Sequence, residues 1–236
     1  MHRTFIVSDL HLGLKQFERT LFLDFLEHIP PNSTLILNGD TIDIPDRELS
    51  EDDAQILNKL VALSLQTSKR VVWLDGNHDD GYRPERIGDI EFESFYVISS
   101  SEALITHGAS FDNVMPYNRW FLWLFKNFHR LRVKMGRPPV HVAEYAKKWK
   151  PLYNFLKRNV RANAIEHARE NGWSKVFCGH LHCAEVYDAD DVCYVNTGTW
   201  TEFPPHFALL EDGGNGGGLY EYRGGNILDG AGAMKC

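Results

Sequence analysis

The chain has 236 residues, enough for one large domain or for a domain carrying an insertion, and its formal net charge of −7 argues against a general nucleic-acid binder. No apolar run reaches the roughly 18 residues a membrane span needs, and Met1-His2-Arg3 runs into a strand pattern without a signal peptide, so the expected compartment is the cytoplasm. Cys178, Cys183, Cys193 and Cys236 lack paired spacing and read as free thiols of a reducing compartment. In chain order, Thr4 to Ser8, Thr34 to Asn38 and Arg70 to Leu74 are short, β-branched apolar runs that predict strands. Helical patterns over Phe17 to His28 and Asp52 to Leu65 follow the first two, with Asp52 and Asp53 suited to a helix start. Further strands are expected at Phe95 to Ile98, Ala103 to Thr106, Lys175 to Cys178, Ala184 to Asp188, Val192 to Asn196 and Phe207 to Leu210. Gly213 to Gly218 is loop-like; after it, Leu219 to Arg223 predicts one strand and then a loose tail, making about 213–236 a Gly-rich C-terminal tail.

Charge is unevenly placed. From Arg119 to Arg161 the chain carries 12 Lys/Arg against one acid, Glu144, or about +11, which leaves about −18 for the remainder. Within this stretch Phe121, Leu124, Phe125, Phe128, Leu131 and Met135 share one helical face, and Arg119, Lys126, Arg130 and Lys134 another. Gly136-Arg137-Pro138-Pro139 ends that helix, and a helical pattern resumes over Val140 to Arg161 with an interruption at Pro151. The segment of about 112–162 therefore predicts a helical cap inserted into a single domain. Its apolar face either packs on the domain core or forms an acyl groove or membrane contact. Its basic face is either solvated or meets phosphates and anionic headgroups.

Five motifs recur at strand ends: Asp9-Leu10-His11, Gly39-Asp40 with Asp43, Gly76-Asn77-His78-Asp79, His107-Gly108, and Gly179-His180-Leu181-His182. Carboxylates, imidazoles and an amide beyond the carboxyl ends of strands occupy the place where α/β sheets carry their sites. An extended backbone at Asp9-Leu10-His11 would send Asp9 and His11 to one side, where they could grip one ion. The mixed oxygen and nitrogen donors suit Mn²⁺, Fe or Zn²⁺ better than Ca²⁺, with Mn²⁺ favoured.

The ordered set resembles the calcineurin-like metallophosphoesterases from residue 4 to about residue 211, and its element order is most similar to the UDP-2,3-diacylglucosamine pyrophosphohydrolase-like branch. The resemblance implies an α/β, four-layer α/β/β/α sandwich of two mixed sheets and a dinuclear hydrolase of phosphoester or pyrophosphate bonds. It implies Asp40 as the bridge between two divalent transition-metal ions, with Asp9, His11 and His182 on one and Asn77, His107 and His180 on the other. His78 matches the family's catalytic histidine, oriented by Asp79, while Asp43 reads either as a support behind the ligands or as a loop cap. Asn196-Thr197-Gly198-Thr199-Trp200 is similar to the family's late loop and is expected to be structural. Three departures separate the chain from the lipid-precursor branch: Asn77-His78 in place of Asn-Arg, Thr197-Gly198-Thr199 in place of an acidic loop, and Ala109 where an acid is common. The expected partner is a phosphorylated small molecule or lipid-linked substrate, with Arg119, Lys126, Arg130 and Lys134 as contacts, peripheral contact with an anionic membrane, and no nucleic acid. A phosphoprotein phosphatase, a nuclease-type phosphodiesterase and a non-enzymatic scaffold are the competing classes.

Overall fold

The computed structural model describes residues 2–114, 147, 149–211, 217–225, 227 and 234. Strands β1 (Arg3–Val7), β2 (Ser33–Asn38), β3 (Lys69–Leu74) and β4 (Glu91–Glu93) alternate at first with helices α1 (Arg19–His28) and α2 (Glu51–Ser64). They are followed by β5 (Tyr96–Ile98), β6 (Ala103–Ile105), α3 (Lys150–Glu170), β7 (Lys175–Cys178), β8 (Glu185–Asp188), β9 (Cys193–Asn196), β10 (His206–Glu211) and β11 (Gly217–Glu221). One sheet runs β11-β10-β1-β2-β3-β4 and the other β5-β6-β7-β9-β8. β1 through β4 pair in parallel, as do β6, β7 and β9, while β10, β11, β5 and β8 pair antiparallel.

The period-2 geometry of strands divides the core into three layers of contact. Phe5, Val7, Leu35, Leu37, Val71 and Trp73 pack with the faces of α1 and α2. Their neighbours Ile6, Ile36, Val72 and Leu74 point the other way, to meet Ala103, Ile105, Phe177 and Val195 between the sheets. Leu104, Val176, Cys178 and Tyr194 then cover Val160, Ala164, Ile165 and Ala168 of α3. The result is the expected helix, sheet, sheet, helix order. α2 starts on Ser50, whose hydroxyl accepts from the Asp53 N–H at 3.2 Å, and Glu51, Asp52 and Asp53 occupy the first turn.

Four details differ from the sequence reading. Pro151 does not interrupt a helix; it lies in the first turn of α3, where its missing N–H and fixed φ are tolerated. Since α3 runs unbroken to Glu170 and packs on the second sheet, the expected cap boundary at residue 162 falls inside a helix of the sandwich. The tail is not loose throughout: Leu219 and Met234 exchange backbone hydrogen bonds at 3.0 Å, and Ile227 is buried in the core beside α1. Cys193 is disulfide-bonded, whereas Cys178 and Cys183 are free. No helix among the described residues is long and apolar enough to cross a membrane.

Candidate metal centre

Every motif sits just beyond a strand's carboxyl end, and the loops are tied to one another through their backbones. Asp9 N–H donates to Gly39 O at 3.1 Å, His11 N–H to Asp40 O at 2.9 Å, and Gly179 N–H to His107 O at 2.9 Å. The expected extended backbone at Asp9 and His11 is not found. Asp9, His11, Asp40, His180 and His182 all have φ between 51 and 66°, the left-handed region that non-glycine residues avoid at about 1–2 kcal/mol each. The reason is local: Leu10 is fully buried in the core, and the left-handed turns flanking it aim both polar neighbours into the site. Two motif glycines permit the crowding. A Cβ on Gly76 would lie 2.2 Å from the Asp40 nitrogen, and one on Gly179 would lie 2.4 Å from Asp9 Oδ2.

The side chains form two clusters that meet at Asp40. In the first, His182 Nε2 lies 3.2 Å from Asp9 Oδ1 and 3.1 Å from His11 Nε2, and His11 Nε2 lies 3.9 Å from both Asp9 Oδ1 and Asp40 Oδ2. In the second, His107 Nε2 lies 3.3 Å from Asp40 Oδ2 and 3.2 Å from Asn77 Oδ1, which also faces His180 Nδ1 at 2.8 Å. Ligand atoms of Asp9, His11 and His182 fall within 4.8 Å of one another, as do those of Asp9, Asp40 and His107, and those of His11, Asp40 and His78. The outer nitrogens are fixed by acceptors: His107 Nδ1 by Asn38 O at 2.9 Å, and His11 Nδ1 by Asp43 Oδ1 at 3.1 Å. A carbonyl can only accept, so His107 Nδ1 carries a proton there, and Nε2 is left facing Asp40 and Asn77.

The electrostatics follow from burying anions among imidazoles. Burial alone would raise the Asp40 carboxyl, but the charge and hydrogen bond of His107, with His78 and His11, hold it well below the usual carboxylate range. Burial likewise opposes charge on His107, yet Asp40 and then Asp9 push it up to about 10. Asp9 is held down against its burial by His182. Its Oδ1 is buried and makes no well-directed hydrogen bond, although His182 Nε2 stands 3.2 Å away, a pairing of two ligand atoms that a cation between them would satisfy. With two imidazole nitrogens 3.1 Å apart beside that oxygen, the donor set fits a metal ion of the borderline transition series.

His78 is half-exposed at the rim, its Nε2 4.0 Å from Asp40 Oδ2. Here the sequence reading needs correction. Asp79 does not orient His78; it is fully buried behind the Asp40 loop and accepts from the N–H groups of Asp40, Thr41, Ile42 and Gly76, at 2.7 to 3.2 Å, and from Trp73 Nε1 at 3.3 Å. Burial, and then the charge of Asp40, raise its pKa. The residue that holds His78 is Asp43, whose carbonyl accepts from Nδ1 at 3.0 Å and whose Oδ1 lies 3.4 Å from the same atom.

This arrangement coincides with a family match: residues 2–184 fit the calcineurin-like phosphoesterase model. The chain belongs to that family. Among solved structures, it is similar to Vps29 from Chaetomium thermophilum (11% identity, 94% of this chain and 92% of that one, TM-score 0.51). It is also similar to a zinc complex of Vps29 from Entamoeba histolytica (16% identity, 93% and 91%, TM-score 0.49) and to Yfce, a phosphoesterase from E. coli (15% identity, 98% and 98%, TM-score 0.47). No curated protein matches the sequence.

This calcineurin-like phosphoesterase also uses a residue that its motifs do not announce. Asp112 is fully buried with Oδ2 3.1 Å from His180 Nε2, so it fixes the outer nitrogen of His180 as Asp43 fixes that of His11. The signal was displaced: the acid missing at Ala109 is supplied three residues later, after the 3₁₀ turn Ala109–Phe111. The late loop is structural, as expected. Thr199 Oγ1 donates to Asp9 O at 2.8 Å, Asn196 Nδ2 to Gly179 O at 2.6 Å, and Ser8 and Thr197 share a hydroxyl hydrogen bond of 2.6 Å. Arg119, Lys126, Arg130 and Lys134, with the aromatic stripe of the expected cap, lie outside the described residues.

Proposed function

We propose that the protein hydrolyses a phosphoester or pyrophosphate bond with two divalent transition-metal ions, Mn²⁺ being favoured over Fe or Zn²⁺. Asp9, His11 and His182 would hold one ion and Asn77, His107 and His180 the other, with Asp40 shared. The observation that carries this reading is the pair of ligand clusters converging on Asp40, with the buried Asp9 Oδ1 making no well-directed hydrogen bond. Two such ions supply charge neutralisation at the phosphoryl oxygens and acidify water at neutral pH.

The chain's own groups account for the rest. His78 Nδ1 donates to the Asp43 carbonyl, which leaves Nε2 facing Asp40 at the rim, where the imidazolium form can protonate the leaving oxygen and return to the neutral imidazole. Asp79 keeps the Asp40 turn rigid, and Asp43 and Asp112 keep the imidazoles of His11 and His180 aimed inward. For the substrate, the basic, amphipathic sequence of Arg119 to Arg161 supports a nucleotide-linked or lipid-linked phosphate such as UDP-2,3-diacylglucosamine, with Arg119, Lys126, Arg130 and Lys134 in contact. The Asn77-His78 motif favours a general phosphoesterase over that branch. A non-enzymatic scaffold would have no use for a rim histidine held by its own carbonyl acceptor.

The test is metal content by mass spectrometry together with hydrolysis of bis(p-nitrophenyl) phosphate, p-nitrophenyl phosphate and UDP-2,3-diacylglucosamine. Asp40→Ala is expected to abolish turnover and reduce metal occupancy. Near-normal turnover in a folded Asp40→Ala variant would sink the assignment.

A further inference from the structure

One short loop, Gly179-His180-Leu181-His182, gives an imidazole to each ligand cluster. His180 Nδ1 faces Asn77 Oδ1 at 2.8 Å, whereas His182 Nε2 faces Asp9 Oδ1 at 3.2 Å. With a single residue between them, the two rings part because the backbone turns twice through the left-handed region, at φ 66° for His180 and 51° for His182. Residues other than glycine avoid that region, so the turns need support from their surroundings.

The loop's N–H groups are held from the core side: Gly179 N–H donates to His107 O at 2.9 Å, and His180 N–H to Asp9 Oδ2 at 3.0 Å. Its carbonyls are held from the other side, by two residues that belong to none of the motifs. Tyr153, in the first turn of α3, donates its hydroxyl to Leu181 O at 2.9 Å. Lys147 Nζ donates to His182 O at 2.6 Å and to Glu202 Oε1, also at 2.6 Å. Glu202 lies just past the late loop, in which Thr199 Oγ1 and Trp200 N–H both donate to Asp9 O, at 2.8 and 3.2 Å. Asp9 and His182, whose ligand atoms stand 3.2 Å apart, are therefore tied at their carbonyls by one connected path through the late loop, Glu202 and Lys147. The Glu202 carboxylate also offsets an ammonium charge that would otherwise oppose a cation in the cluster.

Anchoring α3 does not call for these bonds, since Leu156, Val160, Ala164, Ile165 and Ala168 already bury its apolar face against the second sheet. We infer that Lys147 and Tyr153 are positioning residues for metal capture: by holding the carbonyls of His182 and Leu181, they keep the loop turned so that His180 serves one ligand cluster and His182 the other. Groups that fix a metal ligand's orientation govern affinity without touching the ion. This rests on the two-metal reading of the clusters, and it adds residues that set how tightly the ions are held.

The test is a Co²⁺ titration of the full chain, followed by the d–d absorption of the bound ion, beside the thermal midpoint of the same apoprotein. Tyr153→Phe removes one oxygen, and Lys147→Met keeps most of the side chain's length. Each should weaken Co²⁺ binding about tenfold while the apoprotein midpoint stays close to that of the unaltered chain. Lys147→Arg, which can still donate to both oxygens, should retain most of the affinity. Unaltered affinity in either Tyr153→Phe or Lys147→Met overturns the inference for that residue. A loss that tracks a fall in the apoprotein midpoint, or a Lys147→Arg protein as weak as Lys147→Met, leaves a role in the fold alone and overturns it too. Hydrolysis of bis(p-nitrophenyl) phosphate by the metal-loaded chain is a separate readout: weakened metal binding in the variants, with no hydrolysis by the unaltered chain, overturns the phosphohydrolase reading and leaves the positioning assignment standing. No Co²⁺ uptake by the unaltered chain overturns both.

Discussion

At the scale of single residues, Asp43 and Asp79 look alike in sequence and do different work, one on imidazoles and one on the backbone. Asp79 accepts from four backbone N–H groups and one indole N–H while fully buried, so Asp79→Asn leaves donors facing donors. Urea denaturation should show a loss of about 2–4 kcal/mol, and metal occupancy should fall with it. An unchanged midpoint would mean that other bonds hold the Asp40 turn. His78→Ala should keep the metals and lose roughly 10²- to 10⁴-fold in rate, because its imidazole stands at the rim and, although within ligand distance of His11 and Asp40, is surplus to the two ligand sets proposed above. A metal-free His78→Ala protein would move the residue into the ligand set. The ligand types themselves were legible in the sequence, since ion chemistry restricts them to carboxylate, imidazole and amide at strand ends. Which acid touches His78 was not, because the choice between Asp43 and Asp79 depends on left-handed turns at Asp40 and its neighbours that residue spacing does not encode.

At the scale of elements, strand alternation was readable because β1, β2, β3, β6, β7, β9 and β10 are each flanked by two apolar layers of different content. β4 was missed: Glu91-Phe92-Glu93 offers one apolar residue, and it joins β3 by parallel pairing at the sheet edge, with Phe92 against Trp73 and Glu91 on Arg70. Pro151 misled for a related reason, since one proline can end a helix or begin one, and only the packing of Leu156, Val160 and Ala164 decides. Two predictions belong here. Gly179→Ala places a Cβ within 2.4 Å of Asp9 Oδ2, so a metal titration should show weakened affinity well before the thermal midpoint falls far. Phe25→Ala removes a fully buried ring of α1 that lies 5.2 Å from both Trp200 and Tyr222 and 5.3 Å from Phe207. Denaturation should register about 3–5 kcal/mol, with the ligand clusters unaltered in the folded fraction.

At the scale of the whole molecule, the clusters draw on both sheets. Asp9, His11, Asp40 and Asn77 follow strands of one, while His107, His180 and His182 follow strands of the other. Chelation should therefore lower the thermal midpoint and make it depend on added metal, as mass action requires of anything bound only by the folded state. A midpoint indifferent to chelator and to added Mn²⁺ or Zn²⁺ would argue that no ion is held there. Because each cluster joins residues from opposite sides of the inter-sheet core, and because Asp9 and His182 come from distant parts of the chain, neither sheet alone can chelate as the pair does. Metal capture would then act as a checkpoint on assembly: an ion held by both clusters, measured chain by chain, would mark a molecule whose halves have closed on each other.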